Sequence, residues 1–274
     1  MYTVQTNISS IIAQENLRVN GEFQARTIQR LTSGYRINSS GDDAAGLAVA
    51  NKYRSNIAEL NQGVRNANDG ISILQIIDGG LNNIAKILDR LKTLASESAT
   101  DTFTGNRTTL NNEFTTLLTE ITRQAANIKL NSGGTYNASI AVYIGGGNTQ
   151  GNSQVTINLS GATNAVDITS LGINASVVDT KANALTALTA LGTAVDNLGV
   201  AQGAVGTGQN DLQYAVQLAQ AQVSAFSAAE SRLRDADIAA EAANLTKAQT
   251  LQQASLAALA QANAAPQAVL ALFR

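Results

Sequence analysis

The residues of this chain that could do chemistry are few and scattered. Asp42-Asp43 is an adjacent carboxylate pair of the kind that suits a metal ion or an acid–base couple. It follows Asn38-Ser39-Ser40-Gly41, however, and a helix start there would attract carboxylates anyway through capping and the helix dipole. Ser40 with Asp43 three residues on resembles a capping box. Gly145-Gly146-Gly147 with Gly151 has the look of a phosphate loop. No Lys-Ser/Thr pair and no strong helix start follow it, so it reads as a hairpin turn. Gly199 and Gly203 have the spacing of a membrane-helix contact, in surroundings too polar for a bilayer. Asp78, Gln202, Gln209 and Glu230 interrupt apolar seams and read as polar notches that fix register. The chain has no histidine and no cysteine. That removes the commonest general base, thiolate zinc sites and disulfides. The remaining carboxylates, lysines, tyrosines and serines do not cluster, so the expectation is no catalytic site, no metal and no cofactor.

The elements that would position anything are helices. Hydrophobic residues make up 44% of the 274 residues but aromatics only 4%. Ala, Leu, Ile and Val must therefore fill the core, and small side chains let helices approach closely. Pro266 is the one proline, so nothing upstream breaks a long helix by the proline mechanism. A net charge of −2 gives no electrostatic case for nucleic acid or anionic lipid. No run of residues reads as the ~20 apolar positions of a membrane span. The N-terminus shows no basic region followed by an apolar block, so no cleaved signal peptide is expected.

Periodicity marks out the helices. Val4, Ile8 and Ile11, then Ile12, Val19 and Phe23, then Ile28, Leu31 and Tyr35, predict a helix over 1–35. A second helix opens after Gly41 and runs to about Ala58. Val64, Ala67, Ile71, Leu74, Asp78, Leu81, Ala85 and Leu88 keep alternating steps of three and four, the coiled-coil period, over about 60–99. A turn at Thr104-Gly105-Asn106 leads to a returning helix with Leu110, Phe114, Leu117, Ile121 and Ile128. Ile140, Val142 and Ile144, then Val155, Ile157 and Leu159, alternate around the glycines and predict a β-hairpin. Asp179-Thr180 caps the longest helix, which runs through Leu188, Leu191, Val195, Leu198, Val205, Leu212 and Ala219 to Leu233. Gly199, Gly203, Gly206 and Gly208 should bend it or admit close packing. A last helix carries Ile238, Ala242, Leu245, Ala248, Leu256, Leu259, Val269, Leu270 and Phe273. The fold class expected is mainly α. It is a long antiparallel helical bundle or coiled coil with a small β-hairpin, and its N- and C-terminal helices are paired. The domains expected are 1–43 with 235–274 as a terminal helix pair, and 44–234 as a helical rod with the hairpin at about 135–178.

Neither terminal stripe can be buried by its own helix, and a lone amphipathic helix is marginal in water. Val4, Ile8, Ile11, Ile28, Leu31, Leu245, Leu256, Leu259, Leu270 and Phe273 are therefore candidate assembly residues. They would pair with each other, with copies of the chain, or both.

R-L-T-S-G-Y-R-I-N-S-S-G-D-D-A-A-G-L-A at 30–48 resembles the N-terminal signature of bacterial flagellin. The segment from Ser231, S-R-L-R-D-A-D-I-A-A-E-A-A-N-L-T-K-A-Q, to the closing A-V-L-A-L-F-R is similar to the C-terminal one. The likeness covers roughly 1–130 and 180–274; the middle matches loosely and has no room for the outer domains many flagellins carry. The resemblance implies a structural subunit that polymerises into the extracellular flagellar filament. Its terminal helices would line the channel and 44–234 would form the next shell. The partners implied are copies of itself, the flagellar export apparatus, a secretion chaperone, and filament cap and hook-junction proteins. A Toll-like innate receptor reads some flagellins. Arg90, Leu94 and Glu113 fall on the family's receptor-contact residues, while Asp89, Lys92 and Leu117 depart from the pattern and imply weakened affinity. The alternatives are a hook–filament junction protein, or a secreted coiled-coil binding protein that does not polymerise.

Overall fold

In a computed structural model of the protein, residues 6–146, 153–160 and 164–271 are described, the last six of these as backbone only. Val4, Gly147, Gly151 and Phe273 lie outside the described residues, as does the side chain of Leu270. The elements are α1 (Ile8–Ser33), α2 (Ala44–Ala99), α3 (Arg107–Asn127), β1 (Ser139–Tyr143), β2 (Gln154–Asn158), α4 (Lys181–Arg234) and α5 (Ile238–Ala271). The architecture is mainly helical with one small antiparallel sheet, as the sequence predicts. Two compact units are distinguished: residues 1–55 with 225–274, and residues 56–224.

In the 56–224 unit, α2 runs without the interruption expected near Ala58; the whole helix has 56 residues, about 84 Å at 1.5 Å per residue. Its buried line is Leu60, Ala67, Leu74, Ile77, Leu81, Ile84, Leu88, Leu91 and Leu94, with Gly63 and Gly70 also buried in sequence between them. Only alternate members match the expected seam. Val64, Ile71, Asp78 and Ala85 are half-buried flanks. Asp78 is thus no notch in the seam; its carboxylate accepts from Asn82 Nδ2 at the surface. The same correction applies to α4. Its buried line is Ala184, Ala187, Leu191, Ala194, Leu198, Ala201, Val205, Gly208, Leu212 and Ala219. Val195 is 38% exposed, and Gln202 reaches out to Asn82 Oδ1 at 3.3 Å instead of sitting in the seam.

Helix α4 also corrects the expectation about membrane spans. By length and composition it is apolar enough to cross a bilayer, with a mean hydropathy of 1.3 in its most apolar stretch. Alternating Ala and Leu along its buried line explains part of that apolarity.

Arg107 donates to the carbonyls of Ser98 and Thr100, closing the end of α2, and Asn106 caps α3 through Thr108 N. On α3 the core residues are Phe114, Leu118, Ile121 and Ala125; Leu117 is displaced to the flank. The hairpin pairs Ile140 with Ile157 and Val142 with Val155. It is seated on bare backbone. A Cβ on Gly63 would lie 1.7 Å from the Ile144 carbonyl oxygen, and one on Gly208 would lie 2.6 Å from Ile157 Cγ2. Asn66 Nδ2 donates to the Tyr143 carbonyl and the Tyr143 hydroxyl donates to Glu59, so the strand end is pinned to α2.

Candidate functional site

Two surfaces hold the residues that the sequence singles out. The first is the terminal helix pair in the 1–55 and 225–274 unit. Asn7 caps α1 by accepting from Ser10 N, and Asp237 caps α5 by accepting from Ala239 N and Ala240 N. Helix α1 ends at Gly34, whose left-handed backbone (φ 73°) lets its N–H reach the Arg30 carbonyl. The chain breaks expected at Ser33-Gly34 and Arg234-Asp235 are tied together. Arg36 N donates to the Arg234 carbonyl at 2.6 Å, Ala236 N donates to the Gly34 carbonyl at 2.9 Å, and the Arg234 guanidinium lies 4.1 Å from the centre of the Tyr35 ring. The Ser40–Asp43 capping box does not form as such. Asp43 alone caps α2 through Gly46 N, while Asp42 accepts from the amides of Asn38 and Ser39, which hold its carboxyl below the usual range.

Helices α1 and α5 pack together through small and polar residues. Ser10, Ala13 and Thr27 are buried on α1, Glu241 and Ala248 on α5. Asn7 Nδ2 donates to the Ala262 carbonyl at 2.7 Å, Ser10 Oγ to Asn263 Oδ1 at 2.8 Å, and Asn20 Nδ2 to Ser255 Oγ at 2.8 Å. Arg30 faces Glu241 at 3.4 Å. A cavity of about 270 Å³ remains between the helices, lined by Ser9, Ile12, Ala13, Asn16 and small residues of α5. The large aliphatic side chains of the expected stripe divide between exposed and half-buried positions. Ile8 is 55% exposed, Ile11 56%, Ile28 43% and Leu256 51%, while Leu31, Leu245 and Leu259 are half-buried. The polar ladder was missed in the sequence. Its signal is a second stripe at helical spacing, Ser10, Ala13, Asn20 and Thr27, which the aliphatic stripe masks.

The second surface lies on α2 and α3 in the other unit. Arg90 Nε and Nη2 both donate to Glu113 Oε1, at 2.9 and 2.7 Å, and both side chains are exposed. Leu94 is only 1% exposed. It is a core residue and offers no surface to a partner.

Neither surface resembles a reaction centre. Among the described residues no group of three or more acidic residues is placed to hold a metal ion. Residues 4–134 match the model of the bacterial flagellin N-terminal helical region, and residues 188–273 match that of the C-terminal helical region. The flagellin of Halalkalibacterium halodurans is 33% identical over 99% of each chain. The flagellar filament 33 kDa core protein of Treponema phagedenis and the flagellin of Bacillus subtilis are each 32% identical, again over 99% of each chain. A crystal structure of Bacillus cereus flagellin aligns with a TM-score of 0.46 at 24% identity, covering 56% of this chain and 88% of that one. Both helical regions are thus matched, in order, on a chain that runs the length of its relatives, and this chain belongs to the bacterial flagellin family.

Proposed function

We propose that the chain builds the flagellar filament by ordering its terminal helices against neighbouring copies. Flagellin is a structural family, not an enzyme family, and its members are subunits of the filament, an extracellular appendage. The carrying observation is the inversion on α1: its partner α5 meets small and polar residues, and Ile8, Ile11, Ile12 and Val19 are left outside. Exposed aliphatic surface of this kind needs a partner, and a self-assembling chain supplies one in its copies. A head-to-tail contact that does not close into a ring gives a filament. Residues 1–43 and 235–274 form its inner core and 44–234 the shell outside. Export proceeds through the flagellar apparatus. A chaperone shields the C-terminal helix until assembly, and cap and hook-junction proteins meet the ends of the polymer.

The test is seeded growth of purified full-length chain in high salt, followed by electron microscopy. The double variant Ile8→Ser/Ile11→Ser should stop elongation while leaving the melting of the monomer unchanged. Normal elongation of that variant would sink the mechanism.

A Toll-like innate receptor reads the monomer through the exposed Arg90–Glu113 pair, with Leu94 one turn on from Arg90 in the core. The ion pair must be shared with any receptor, and Asp89 and Lys92 beside it depart from the family pattern, so the response is weak. A receptor reporter assay should give a response with the wild-type monomer and a smaller one with Arg90→Ala. Silence of the wild type at high dose would remove this reading.

A further inference from the structure

In the 56–224 unit, an open cavity of about 340 Å³ lies where the end of the hairpin meets α4, lined chiefly by Ile144, Val155, Ala215, Leu218 and Ala219. Its volume is near the lower end of the ~300–1,000 Å³ of small-molecule sites. Beside it Leu218 is 61% exposed and Tyr214, one turn earlier, is 69% exposed. Large exposed apolar side chains next to an apolar depression mark an interaction surface.

We propose that this depression seats Ile76 of a second copy of the chain. The proposal rests on the filament reading and adds to it a contact that uses neither α1 nor α5. In a head-to-tail polymer a patch meets a different surface of the next copy, not itself. Among the described residues of this unit, Ile76 is the large apolar side chain outside α4 that is more than half exposed, at 66%. It stands clear of its surroundings: a Cβ on Gly79, one turn on, would meet nothing within 4 Å. Ser72 and Gln75 beside it are uncharged, as is Gln222 at the rim of the cavity. Glu59 adjoins the lining at Gly145 and its carboxylate accepts from the Tyr143 hydroxyl, so the contact closes without burying a carboxylate that lacks a donor.

The chain has no cysteine, so engineered thiols report contacts without background. Full-length Ile76→Cys is mixed with Leu218→Cys, and separately with Ala215→Cys, assembled on seeds and oxidised with copper phenanthroline. Covalent dimers should appear in at least one mixture and in neither single-variant preparation, and the double variant Ile76→Cys/Leu218→Cys should give a longer ladder. In parallel, Ile76→Ser should raise the concentration of monomer left at the end of assembly at least about tenfold, with the monomer's melting unchanged and Ser72→Ala without effect. Filaments that form with no cross-link in either mixture overturn the pairing alone, as do dimers of a single variant. Failure of the wild-type chain to give filaments would overturn the filament reading and the pairing together.

Discussion

Helix α2 in one unit and helix α1 in the other bury different kinds of side chain. In residues 56–224, α2 turns Leu74, Ile77, Leu81, Ile84, Leu88 and Leu91 inward. In the terminal unit, α1 turns Ser10, Ala13 and Thr27 toward its partner and leaves Ile8, Ile11, Ile12 and Val19 outside. Composition alone does not explain the difference, since both helices carry aliphatics at helical spacing. The difference is in what the chain itself completes. The first unit has a finished core. The second has a register, set by hydrogen bonds and small contacts, whose apolar free energy is still to be gained from other molecules. Helix stability in proteins comes mainly from packing of the apolar face, so the terminal pair should be the weaker unit until it is assembled.

The sharpest way to break this contrast is to truncate one aliphatic side chain in each unit. Leu88→Ala removes a fully buried side chain and should cost about 2–5 kcal/mol, read as a lower urea midpoint of the isolated chain. Ile11→Ala should change that midpoint by less than about 0.5 kcal/mol yet slow seeded elongation severely. If the two variants destabilised the monomer equally, the division of labour would be wrong. Gly63→Ala comes next. Its Cβ would lie 1.7 Å from the carbonyl oxygen of Ile144, which is backbone and cannot swing away. Overpacking of this kind costs about 1–3 kcal/mol or more. Gly203→Ala on α4 meets nothing within 4 Å and should stabilise the monomer by about 0.5–1 kcal/mol.

These glycines also explain what the sequence did and did not reveal. The hairpin was legible because Val142 and Val155 lie in runs that alternate with smaller or polar residues; the pairing of these two was not read from the sequence. The seams of α2 and α4 were read one flank off. Large residues at Val64, Ile71, Val195 and Gln202 kept the expected spacing, but every second true seam position on α4 is alanine or glycine: Ala187, Ala194, Ala201 and Gly208. A pattern search weighted to bulk passes over such positions. Leu94 was legible as apolar but not as buried, because its burial depends on what the fold packs over α2. The terminal stripes were legible as unsatisfied. What they hid was the polar ladder behind them, because asparagine and serine on a helix look solvated until a partner helix is placed.

A smaller effect tests a joint within the completed unit. Asp167 is 8% exposed and accepts from Ser132 N and Ser170 N, each at 2.7 Å. Burial alone would raise its pKa, but these amides, with the Ser170 hydroxyl and Thr169 N, outweigh it and hold the carboxyl below its ordinary value. With the folded pKa below the unfolded one, near 3.9, the contribution is full above about pH 4. It is lost as pH falls through the folded pKa. Asp167→Asn should lower stability at pH 7 by about 1.5 kcal/mol and flatten the loss between pH 4 and pH 2, measured by urea unfolding across that range. Asp167 belongs to the 56–224 unit, so hydrogen exchange of α1 should show no matching change.

The finest test uses two adjacent residues of α1, one bonded to α5 and one exposed. Asn20 donates to Ser255 Oγ on α5, while Val19 is 45% exposed. Removing the Asn20 amide deletes one net hydrogen bond, about 0.5–1.5 kcal/mol. In a helix pair with few large apolar contacts that is a sizeable share of what holds it. Asn20→Ala should therefore speed hydrogen exchange of the α1 amides in the monomer several-fold and leave α2 untouched. Val19→Ala should leave monomer exchange as it was, because the side chain it shortens has no partner there, and should raise the monomer concentration needed for elongation. The two outcomes must separate. If Val19→Ala loosened α1 in the monomer as much as Asn20→Ala, the aliphatic face would already be packed within one chain, and nothing would be left for a neighbouring copy to bury.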